Sequence, residues 1–445
     1  MVSTHQDTIF ALSSGGLPAG VAVVRISGDE AFGICRKMCG VLPPPRVASL
    51  RSIRSRNGAV LDRGIVLAFR GPHSFSGEDC IEFHLHGGKA VVAAVLAELQ
   101  LFDGCRLAEA GEFSRRAFES GKLDLVEIEG LADLLAAETE MQRRLATEQS
   151  FGKLSAIYSS WRERLLHARA MIEAELDFSD EGDIPGSVSD RIWIDMEALA
   201  KEIARYIEQE RVGAIIRDGF KVVIAGPPNA GKSSLMNTLA NREVAIVTEY
   251  AGTTRDILHC ELDLGGFAVH LFDTAGIRDT DEAIEREGIR RALTKVEEAD
   301  LILHLSDVSS PAGFAHDLFA SSSAPVIRVG TKSDLSNDSN PKQNQDLCIS
   351  TVTGDGVDDL RAMIMKHMEA MAGGLSLAIP SRLRQRQHIA DVLTNIEAAV
   401  GNTDIGLEVR AEHLRRASDA FGRISGKIDV ESLLGKIFSD FCIGK

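Results

Sequence analysis

A short glycine-rich segment in the middle of the chain has the residue types needed to bind nucleotide phosphates. The segment 226–233 reads G-P-P-N-A-G-K-S and lies between the apolar run 221–225 and the helix-like run 234–239. Glycine lets the backbone turn so that successive N–H groups point at phosphate oxygens, and the N-terminus of the following helix adds its positive dipole end. The Lys232 ammonium would reach the β- and γ-phosphates, and the Ser233 hydroxyl would bind Mg²⁺. The pattern therefore predicts a phosphate-binding loop between a strand and a helix.

Two motifs further along the chain, each at the end of an apolar run, indicate which nucleotide is bound. Residues 273–276 read D-T-A-G, where the Asp273 carboxylate can hold the Mg²⁺ shell and the Gly276 N–H can sense the γ-phosphate. Residues 331–334 read T-K-S-D, and the Asp334 carboxylate can accept hydrogen bonds from both N1–H and the amino group of guanine. Adenine lacks that pair of donors, so this acceptor selects GTP. A threonine hydroxyl from 252–256 (G-T-T-R-D) could complete the Mg²⁺ site, and the order of the motifs predicts a GTPase domain.

The residues around the predicted γ-phosphate site differ from those of a plain switch GTPase. Ile277 follows D-T-A-G, where Ras-like proteins place the glutamine that orients the attacking water, and an aliphatic side chain cannot do this. The acidic segment 278–287 could supply a carboxylate instead. Asn229 could offer its side-chain oxygen to a monovalent cation that neutralises phosphate charge, or it could cap the following helix. The sequence leaves both interpretations of Asn229 open.

The composition indicates several globular domains in a reducing compartment. A length of 445 residues suggests about two to three domains, and a hydrophobic content of 44% is ample for their cores. No apolar run is long enough to span a bilayer, and residues 1–7 lack the basic start of a targeting peptide. The seven cysteines are scattered and odd in number, which favours a reducing cytoplasm over a disulfide framework. The net charge of −16 argues against indiscriminate polyanion binding but not against a local basic patch.

The pattern of apolar residues divides the chain into three predicted domains of a multidomain α/β and α+β protein. Residues 1–119 are expected to form an α+β domain, with strand-like runs at 7–12, 21–27, 65–69 and 80–85 and a helix-like run at 89–99. Residues 120–213 and 373–445 show helical spacing, as at Leu154, Ile157, Trp161, Leu165, Ala168 and Ile172. Each flank alone offers few helices with which to close a core, so we expect one discontinuous helical domain. The P-loop GTPase (Ras-like) domain, residues 214–372, would be inserted in it, and two separate bundles are the alternative.

Two smaller features allow both a chemical and a purely structural interpretation. His84 and His86 would lie on one face of a strand as a metal pair, but without an evident third ligand hydrogen-bonded strand histidines are favoured. The chain ends F-C-I-G-K, and a terminal lysine fits a prenylation signal poorly. Cys442 is therefore either a buried structural thiol or, as the terminal glycine and lysine favour, an exposed tail thiol in a functional cleft.

Several short motifs occur together in this chain. They are 23–28 (V-V-R-I-S-G), 76–79 (S-G-E-D), 86–88 (H-G-G), 111–114 (G-E-F-S), 122–125 (K-L-D-L), 226–234, 251–256, 273–276 and the terminal 441–445. By these motifs the chain resembles the MnmE (TrmE) family of tRNA-modification GTPases over essentially its whole length. The central motifs alone fit several GTPase families, whereas the combination with the terminal F-C-I-G-K is specific.

The resemblance implies that residues 1–119 bind a tetrahydrofolate derivative, 5,10-methylene- or 5-formyl-, and mediate homodimerisation. The residues that match the family's folate contacts are Arg25, Glu82, Lys122 and Lys445. Lys445 is far from the others in sequence, so folding must bring the tail to the N-terminal domain, within one chain or across a dimer. Cys442 matches a thiol that the family needs for modification.

The resemblance also implies ions and individual roles in the GTPase domain. The expected K⁺ ligands are Asn229, Thr248, Tyr250 and Thr253, and the expected Mg²⁺ ligands are Ser233 and Thr254. Glu285 matches the carboxylate that orients the hydrolytic water, so catalytic roles are expected for Lys232, Glu285 and Cys442. The residues expected to contact GTP are Asn229, Ala230, Gly231, Lys232, Ser233, Ser234, Thr248, Glu249, Tyr250, Ala251, Gly252, Thr253, Thr254, Asp273, Thr274, Ala275, Gly276, Thr331, Lys332, Asp334, Ser350 and Thr351.

The activity implied by the resemblance is a modification of tRNA. Such a protein acts with an FAD-dependent partner of the GidA (MnmG) type, in a heterotetramer, and FAD belongs to the partner. Together they install an aminomethyl-type (carboxymethylaminomethyl) group on C5 of the wobble uridine of tRNA. The alternative is a regulatory GTPase that serves as a ribosome or ribonucleoprotein assembly factor, which would need neither the N-terminal domain nor the cysteine tail.

The chain departs from the family pattern at three places. Thr331 stands where asparagine is usual, so one contact to the guanine edge is expected to be weaker or to come from a hydroxyl. Ser350 and Thr351 stand where Ser-Ala is usual, which matters little because a backbone N–H acts there. The loop 13–20 lacks the usual G-R-G-G sequence on that side of the folate site.

Overall fold

A computed structural model describes residues 7–177, 187–242, 259–273, 296–309, 322, 324–335, 345–372, 377–401, 405–426, 428 and 444. The chain divides into two compact units, one of Met1–Ala132, Gln149–Leu199 and Asp391–Lys445, the other of Asp133–Glu148 and Ala200–Ala390. The three domain ranges expected from the sequence stay predictions. Within the described ranges, no helix has the length and apolar character to cross a membrane.

The first unit begins with a mixed six-stranded sheet. Its elements are β1 (Thr8–Leu12), β2 (Ala19–Ser27), α1 (Ala31–Cys39), β3 (Ser49–Arg54), β4 (Val60–Phe69), β5 (Cys80–Gly87), α2 (Lys89–Leu99), β6 (Cys105–Leu107) and α3 (Glu112–Glu119). The strand order is β3-β4-β5-β2-β1-β6, with β1 and β6 parallel and the other neighbours antiparallel. Strand β2 alternates in burial, with Val24 and Ile26 in the core and Arg25 between them on the other face. That alternation places the polar residues of β2 and β5 together on one face.

Helices follow the sheet along the chain. They are α4 (Leu125–Ala136), α5 (Glu140–Ser150), α6 (Lys153–Asp177), α7 (Ser187–Ile207) and α8 (Glu210–Asp218). In the first unit, α6 packs against a helix near the end of the chain, α12 (Leu407–Ile424), through the rings of Tyr158, Trp161 and Phe421. The predicted apolar stripe of α6 is buried at every position except Ile157, where the buried residue is Tyr158. The stripe follows the 3.6-residue period, and a large aromatic ring fills the position better than the neighbouring isoleucine.

The second unit contains a six-stranded sheet of P-loop type. Its elements are β7 (Phe220–Ala225), α9 (Lys232–Arg242), β8 (His259–Leu264), β9 (Phe267–Asp273), β10 (Leu301–Asp307), β11 (Val326–Thr331), β12 (Leu347–Cys348) and α10 (Val357–Ala372). Helix α11 (Leu383–Gly401) follows along the chain and has residues in both units. The order is β12-β11-β10-β7-β9-β8, and only the β8–β9 pair is antiparallel among these neighbours. The parallel strands are nearly continuous apolar runs because both faces of the sheet are buried. Their carboxyl ends meet at one edge, which is where a ligand of such a fold binds.

Candidate functional site

The segment after β7 forms a tight loop that leads into α9. Gly226 has φ +150°, and a side chain there would collide with the Leu305 carbonyl oxygen on the neighbouring strand. Asn229 and Gly231 are in the left-handed region with φ of +64° and +87°. Loops of this shape direct backbone N–H groups inward, so the predicted phosphate loop has the backbone that phosphate binding requires.

Asn229 is exposed and lies three residues before α9 begins, so it is not placed as the cap of that helix. Among the described residues its side chain has no hydrogen-bond partner, and its amide oxygen is accessible to a cation or ligand. The cap interpretation is therefore not supported by the position of Asn229.

Lys232 and Ser233 are held at the start of α9 by the loop and by the end of β9. The Lys232 ammonium donates to the carbonyl oxygens of Gly226 and Pro227 at 2.9 and 3.0 Å. Burial lowers the pKa of Lys232, against the opposing field of the Asp273 carboxylate. The Ser233 hydroxyl donates to the Asp273 carboxylate at 2.9 Å. A hydroxyl and a carboxylate oxygen are the ligand types that Mg²⁺ prefers, so Ser233 and Asp273 fit the metal that the motif implies.

The base side of the site lies at the ends of β11 and β12. The Asp334 carboxylate accepts a 2.6 Å hydrogen bond from the hydroxyl of Ser350, a fully buried residue. That hydroxyl also accepts from the backbone N–H of Val352 and Thr353 at 3.2 Å each. Its donor role is thereby fixed toward Asp334, whose remaining lone pairs on both oxygens are left for a base. The sequence predicted only a backbone contact at 350–351. The structure shows that the Ser350 side chain also takes part in this side of the site, because it bonds to Asp334.

The Thr331 hydroxyl is not free to contact a guanine base. The residue is buried, and its hydroxyl proton is directed at the carbonyl oxygens of Ala230 and Ser306, at 2.7 and 3.2 Å. Its neighbour Lys332, at φ +60°, donates to the Asp307 carboxylate at 2.6 Å. Thr331 therefore joins the end of β11 to the phosphate loop, a contact that the sequence did not reveal.

The remaining predicted residues of the GTP site divide into two groups. Ser234 lies in the first turn of α9, and Thr351 lies in the turn after Ser350. The others lie outside the described residues: Thr248, Glu249, Tyr250, Ala251, Gly252, Thr253, Thr254, Thr274, Ala275, Gly276 and Glu285.

A second cluster of polar residues lies on the sheet of the first unit. Arg25 on β2 is directly opposite Glu82 on β5, and its Nε donates to the carboxylate at 3.0 Å. The two side chains keep 18% and 16% of their exposure. The Arg25 guanidinium also lies 5.2 Å from the ring centre of Phe75 and 5.6 Å from that of Phe113. The result is a polar pair bordered by aromatic rings.

Lys122 approaches the same loop that carries Phe75. Its ammonium donates to the Pro72 carbonyl oxygen at 2.9 Å. The loop between β4 and β5 thus contacts Arg25 through Phe75 and Lys122 through Pro72. Of the four predicted folate residues, Arg25 and Glu82 are in direct contact, Lys122 is linked to them by this loop, and Lys445 lies outside the described residues.

The two strand histidines have separate carboxylate partners. His84 Nε2 lies 3.4 Å from Glu82, and His86 Nδ1 lies 2.8 Å from Asp62. Across the part of the chain that the structure describes, no group of three His, Cys, Asp or Glu side chains could hold a metal. The histidines are hydrogen-bonded strand residues.

A buried ion network beneath this cluster was not found by sequence reasoning. Arg116 is 1% exposed and bonds to Asp7, Glu78 and Glu112 at 2.9, 3.1 and 3.0 Å. Burial alone would raise the pKa of Glu112, but hydrogen bonds from Arg106 and Arg116 hold that pKa below its usual value. Two members of the network, Glu78 and Glu112, belong to the S-G-E-D and G-E-F-S motifs. These motifs were the feature of the sequence that could have indicated the network. The network fixes α3 and the Phe75 loop around Arg25.

The chain's C-terminal end meets β1. The Ser13 hydroxyl donates to the Gly444 carbonyl oxygen at 2.7 Å, and a side chain at Gly444, whose φ is +108°, would collide with the Leu12 carbonyl. The tail therefore reaches the N-terminal sheet within one chain. Cys442 and Lys445, on either side of Gly444 in sequence, lie outside the described residues.

Comparison with known proteins gives matches along the whole chain. The model "GTP-binding protein TrmE N-terminus" matches residues 8–122, and the model "MnmE helical domain" matches residues 125–442. Proteins named tRNA modification GTPase MnmE are 57% identical in Rhizobium meliloti (strain 1021), over 100% of both chains, and 57% identical in Sinorhizobium medicae (strain WSM419), over 99% of both. The same name is carried by a Brucella anthropi protein, 51% identical over 100% of this chain and 99% of the relative. The chain belongs to the MnmE (TrmE) family and is a GTPase that acts in tRNA modification.

Proposed function

We propose that this GTPase uses the one-carbon unit of a tetrahydrofolate derivative to install an aminomethyl-type (carboxymethylaminomethyl) group on C5 of the tRNA wobble uridine. It acts in the cytoplasm as a homodimer, with an FAD-dependent partner protein of the GidA (MnmG) type that brings the FAD. Its GTP hydrolysis requires Mg²⁺ and K⁺. The observation that carries the folate part is the half-buried Arg25–Glu82 pair, in which Arg25 also contacts the rings of Phe75 and Phe113.

This pair fits the chemistry of a reduced folate. A pterin is flat and has an amino edge with two donors, which a carboxylate such as Glu82 can accept together. The half-buried Phe75 offers apolar ring surface for a flat ligand, and the fully buried Phe113 supports Arg25 from within the core. The glutamate tail of folate is anionic, and the Lys122 and Lys445 ammonium groups would pair with it. When bound, the folate supplies the one-carbon unit, and these residues bind and orient it.

The proposed role of Cys442 follows from the position of Gly444. Cys442 stands two residues before Gly444 in the sequence, and Gly444 contacts Leu12 and Ser13 of the N-terminal sheet. We therefore assign Cys442 to the modification reaction and not to GTP hydrolysis.

Replacing Glu82 with glutamine tests the folate part. The change keeps the shape of the side chain but removes its charge, and hydrogen bonds to a charged group contribute about 1.5–3 kcal/mol each. Folate affinity should fall roughly 10- to 100-fold, wobble-uridine modification should fall with it, and GTP hydrolysis should stay at the wild-type rate. Isothermal titration with 5-formyltetrahydrofolate, mass spectrometry of tRNA nucleosides and a phosphate-release assay measure the three.

The matched control is Asp62→Asn, which removes another strand carboxylate, the partner of His86, in the same sheet. It should leave folate affinity unchanged. Wild-type folate binding by the Glu82→Gln protein would refute the assignment of the site, and thermal unfolding of both variants separates loss of binding from loss of fold.

The proposed K⁺ site combines Asn229 with the loop that includes Thr248, Tyr250 and Thr253. The accessible Asn229 amide oxygen in the phosphate loop supports this proposal. A cation there would neutralise phosphate charge that an arginine finger neutralises elsewhere, where it contributes about 10³–10⁵ in rate. Glu285 would orient the hydrolytic water, since Ile277 cannot.

Hydrolysis should accordingly be about 10-fold or more faster in KCl than in NaCl of equal ionic strength, because the smaller Na⁺ fits a K⁺ cage poorly. Single-turnover phosphate release measures the effect. A second experiment measures phosphate release by the Glu285→Ala protein in KCl. That variant should bind fluorescent GTP normally and lose most of its turnover. Equal rates in both salts would remove K⁺ from the proposal, and normal turnover of Glu285→Ala would transfer its role to another acidic residue of 278–287.

A further inference from the structure

One part of the N-terminal domain has a charge opposite to that of the whole protein. The chain has a net charge of −16, yet between residues 31 and 77 the sole acidic residue is Asp62. Six cationic residues lie at the end of α1 and along the β3–β4 hairpin, and we call them the basic edge: Arg36, Lys37, Arg51, Arg54, Arg56 and Arg63. All but the half-buried Arg51 are exposed.

The fold brings these residues together at one side of the sheet. Strand β3 is the outermost strand beside β4. The Lys37 ammonium and the Arg56 guanidinium lie 5.5 and 5.6 Å from the centre of the same Phe102 ring, which joins the end of α1 to the end of β3. Arg63 on β4 is paired with Ser52 on β3, and Ser52 is two residues before Arg54 on the same strand. The basic edge therefore gathers the cations of a helix end, an edge strand and its hairpin at one side of the sheet.

The charge of this surface is not balanced locally. Among the described residues, Arg56 alone of the six has a carboxylate partner, Glu98 at 3.3 Å, and Asp62 accepts from His86 instead. Arg51 and Arg54 donate to backbone carbonyls, and the buried Nε of Arg51 has no partner in the structure. Three exposed arginines elsewhere, by contrast, do have carboxylate partners: Arg143 bonds to Glu140, and Arg415 and Arg416 bond to Glu412.

Like charges this close repel one another, because the screening length at physiological salt is about 8 Å. An edge strand gains protection against aggregation from one or two charges of either sign. That role does not explain six cations, five of them arginine, whose fork-shaped head suits phosphate oxygens. An anionic partner that contacts several of them at once accounts for both the sign and the clustering.

We propose that the basic edge binds the phosphate backbone of the tRNA substrate. This inference rests on the proposed function, since it adds the surface by which that substrate is held. RNA helices are recognised largely by shape and by backbone contacts, which fits a surface of arginines without a pocket. Each phosphate contact releases counterions, so binding through this surface depends steeply on salt.

The test compares tRNA affinity of the full-length protein and two triple variants. Arg36→Gln/Arg54→Gln/Arg63→Gln removes three charges of the basic edge, and Arg143→Gln/Arg415→Gln/Arg416→Gln removes three paired arginines elsewhere. An unmodified tRNA transcript is titrated by fluorescence anisotropy between about 50 and 250 mM KCl. The basic-edge variant should bind roughly 10- to 100-fold more weakly near physiological salt, with a log K–log[KCl] slope shallower by about 2. The paired-arginine variant should match the wild type.

A wild-type affinity and slope in the basic-edge variant would overturn the inference while leaving tRNA as the substrate. The same result is expected if the surface serves an acidic protein instead. If the wild-type protein itself shows no salt-dependent binding of the transcript, both this inference and the substrate part of the proposed function fail. GTP hydrolysis and thermal unfolding should be unchanged in both variants, and a weakened fold in the basic-edge variant alone would attribute its loss of binding to structure and overturn the inference.

Discussion

Replacing Asp334 with asparagine should change the nucleotide preference of this protein from GTP to xanthosine triphosphate. We expect the carboxylate to accept from N1–H and the amino group of guanine, whereas an asparagine keeps one acceptor but presents a donor in place of the other. Xanthine has a carbonyl where guanine has the amino group, so it complements that donor. A site built to hydrogen-bond a ligand group discriminates against a ligand that lacks it by roughly 10⁴- to 10⁵-fold. Displacement of fluorescent GTP by each triphosphate measures the exchange.

The surroundings of Asp334 should hold the substituted side chain in the same orientation, so that the variant reports on base recognition alone. Its Oδ1 accepts from Ser350, which is itself fixed by the backbone N–H of Val352 and Thr353, so the side chain at position 334 stays oriented. The matched control is Asp307→Asn, which alters the neighbouring partner of Lys332. It should weaken both nucleotides alike. Equal loss of GTP and xanthosine triphosphate in Asp334→Asn would mean that Asp334 does not read the base.

Replacing Gly444 with valine should abolish tRNA modification while GTP hydrolysis continues at the wild-type rate. The backbone at Gly444 has φ +108°, and the first side-chain carbon would collide with the Leu12 carbonyl and approach the Ser13 backbone. Backbone atoms of a sheet strand cannot move aside cheaply, so the tail must leave β1. Cys442 and Lys445 belong to the same tail in sequence, so wobble-uridine modification should fall to the level of a Cys442→Ser protein. Nucleoside mass spectrometry and phosphate release measure the two activities.

Gly104→Val separates the contact from the backbone strain. Gly104 also has a positive φ, +72°, but a side chain there would meet open space. It should lose some stability and keep modification. Ser13→Ala, which removes the hydrogen bond to Gly444, should give a partial loss. Full modification by Gly444→Val would mean that the tail contact has no part in the reaction.

Elements with strong periodicity could be predicted, and the less apolar ones could not. The runs expected to form β1, β2 and β5 and the helix α2 appear within one or two residues of their observed bounds. Strand β3 was missed because L-R-S-I-R carries two arginines, and its hydrogen bonding to β4 and the burial of Ile53 outweigh its polar composition. Strand β4 begins five residues before the expected run because the hairpin extends it.

The site could be predicted in its residue types but not in its contacts. The phosphate loop is one continuous segment, so its function can be inferred from local sequence. The pairing of Arg25 with Glu82 depends on the register of two strands that are 57 residues apart, and the Arg116 network joins segments up to 109 residues apart. Thr331 was expected near the guanine edge, whereas its proton is directed at the carbonyls of Ala230 and Ser306. Such partners become apparent only when the chain is folded.

Thr331 also shows what evolution can and cannot change at this position. The Ala230 carbonyl oxygen, the nearer acceptor of its hydroxyl proton, belongs to a buried residue, and leaving such an oxygen without a donor costs about 1–3 kcal/mol. Mutational drift here is thus restricted to short side chains that carry a proton, such as serine, threonine or asparagine, while valine, which has the shape of threonine, is excluded. Substitutions at position 331 are therefore tolerated when the new side chain still donates a hydrogen bond, because that bond connects the end of β11 to the phosphate loop.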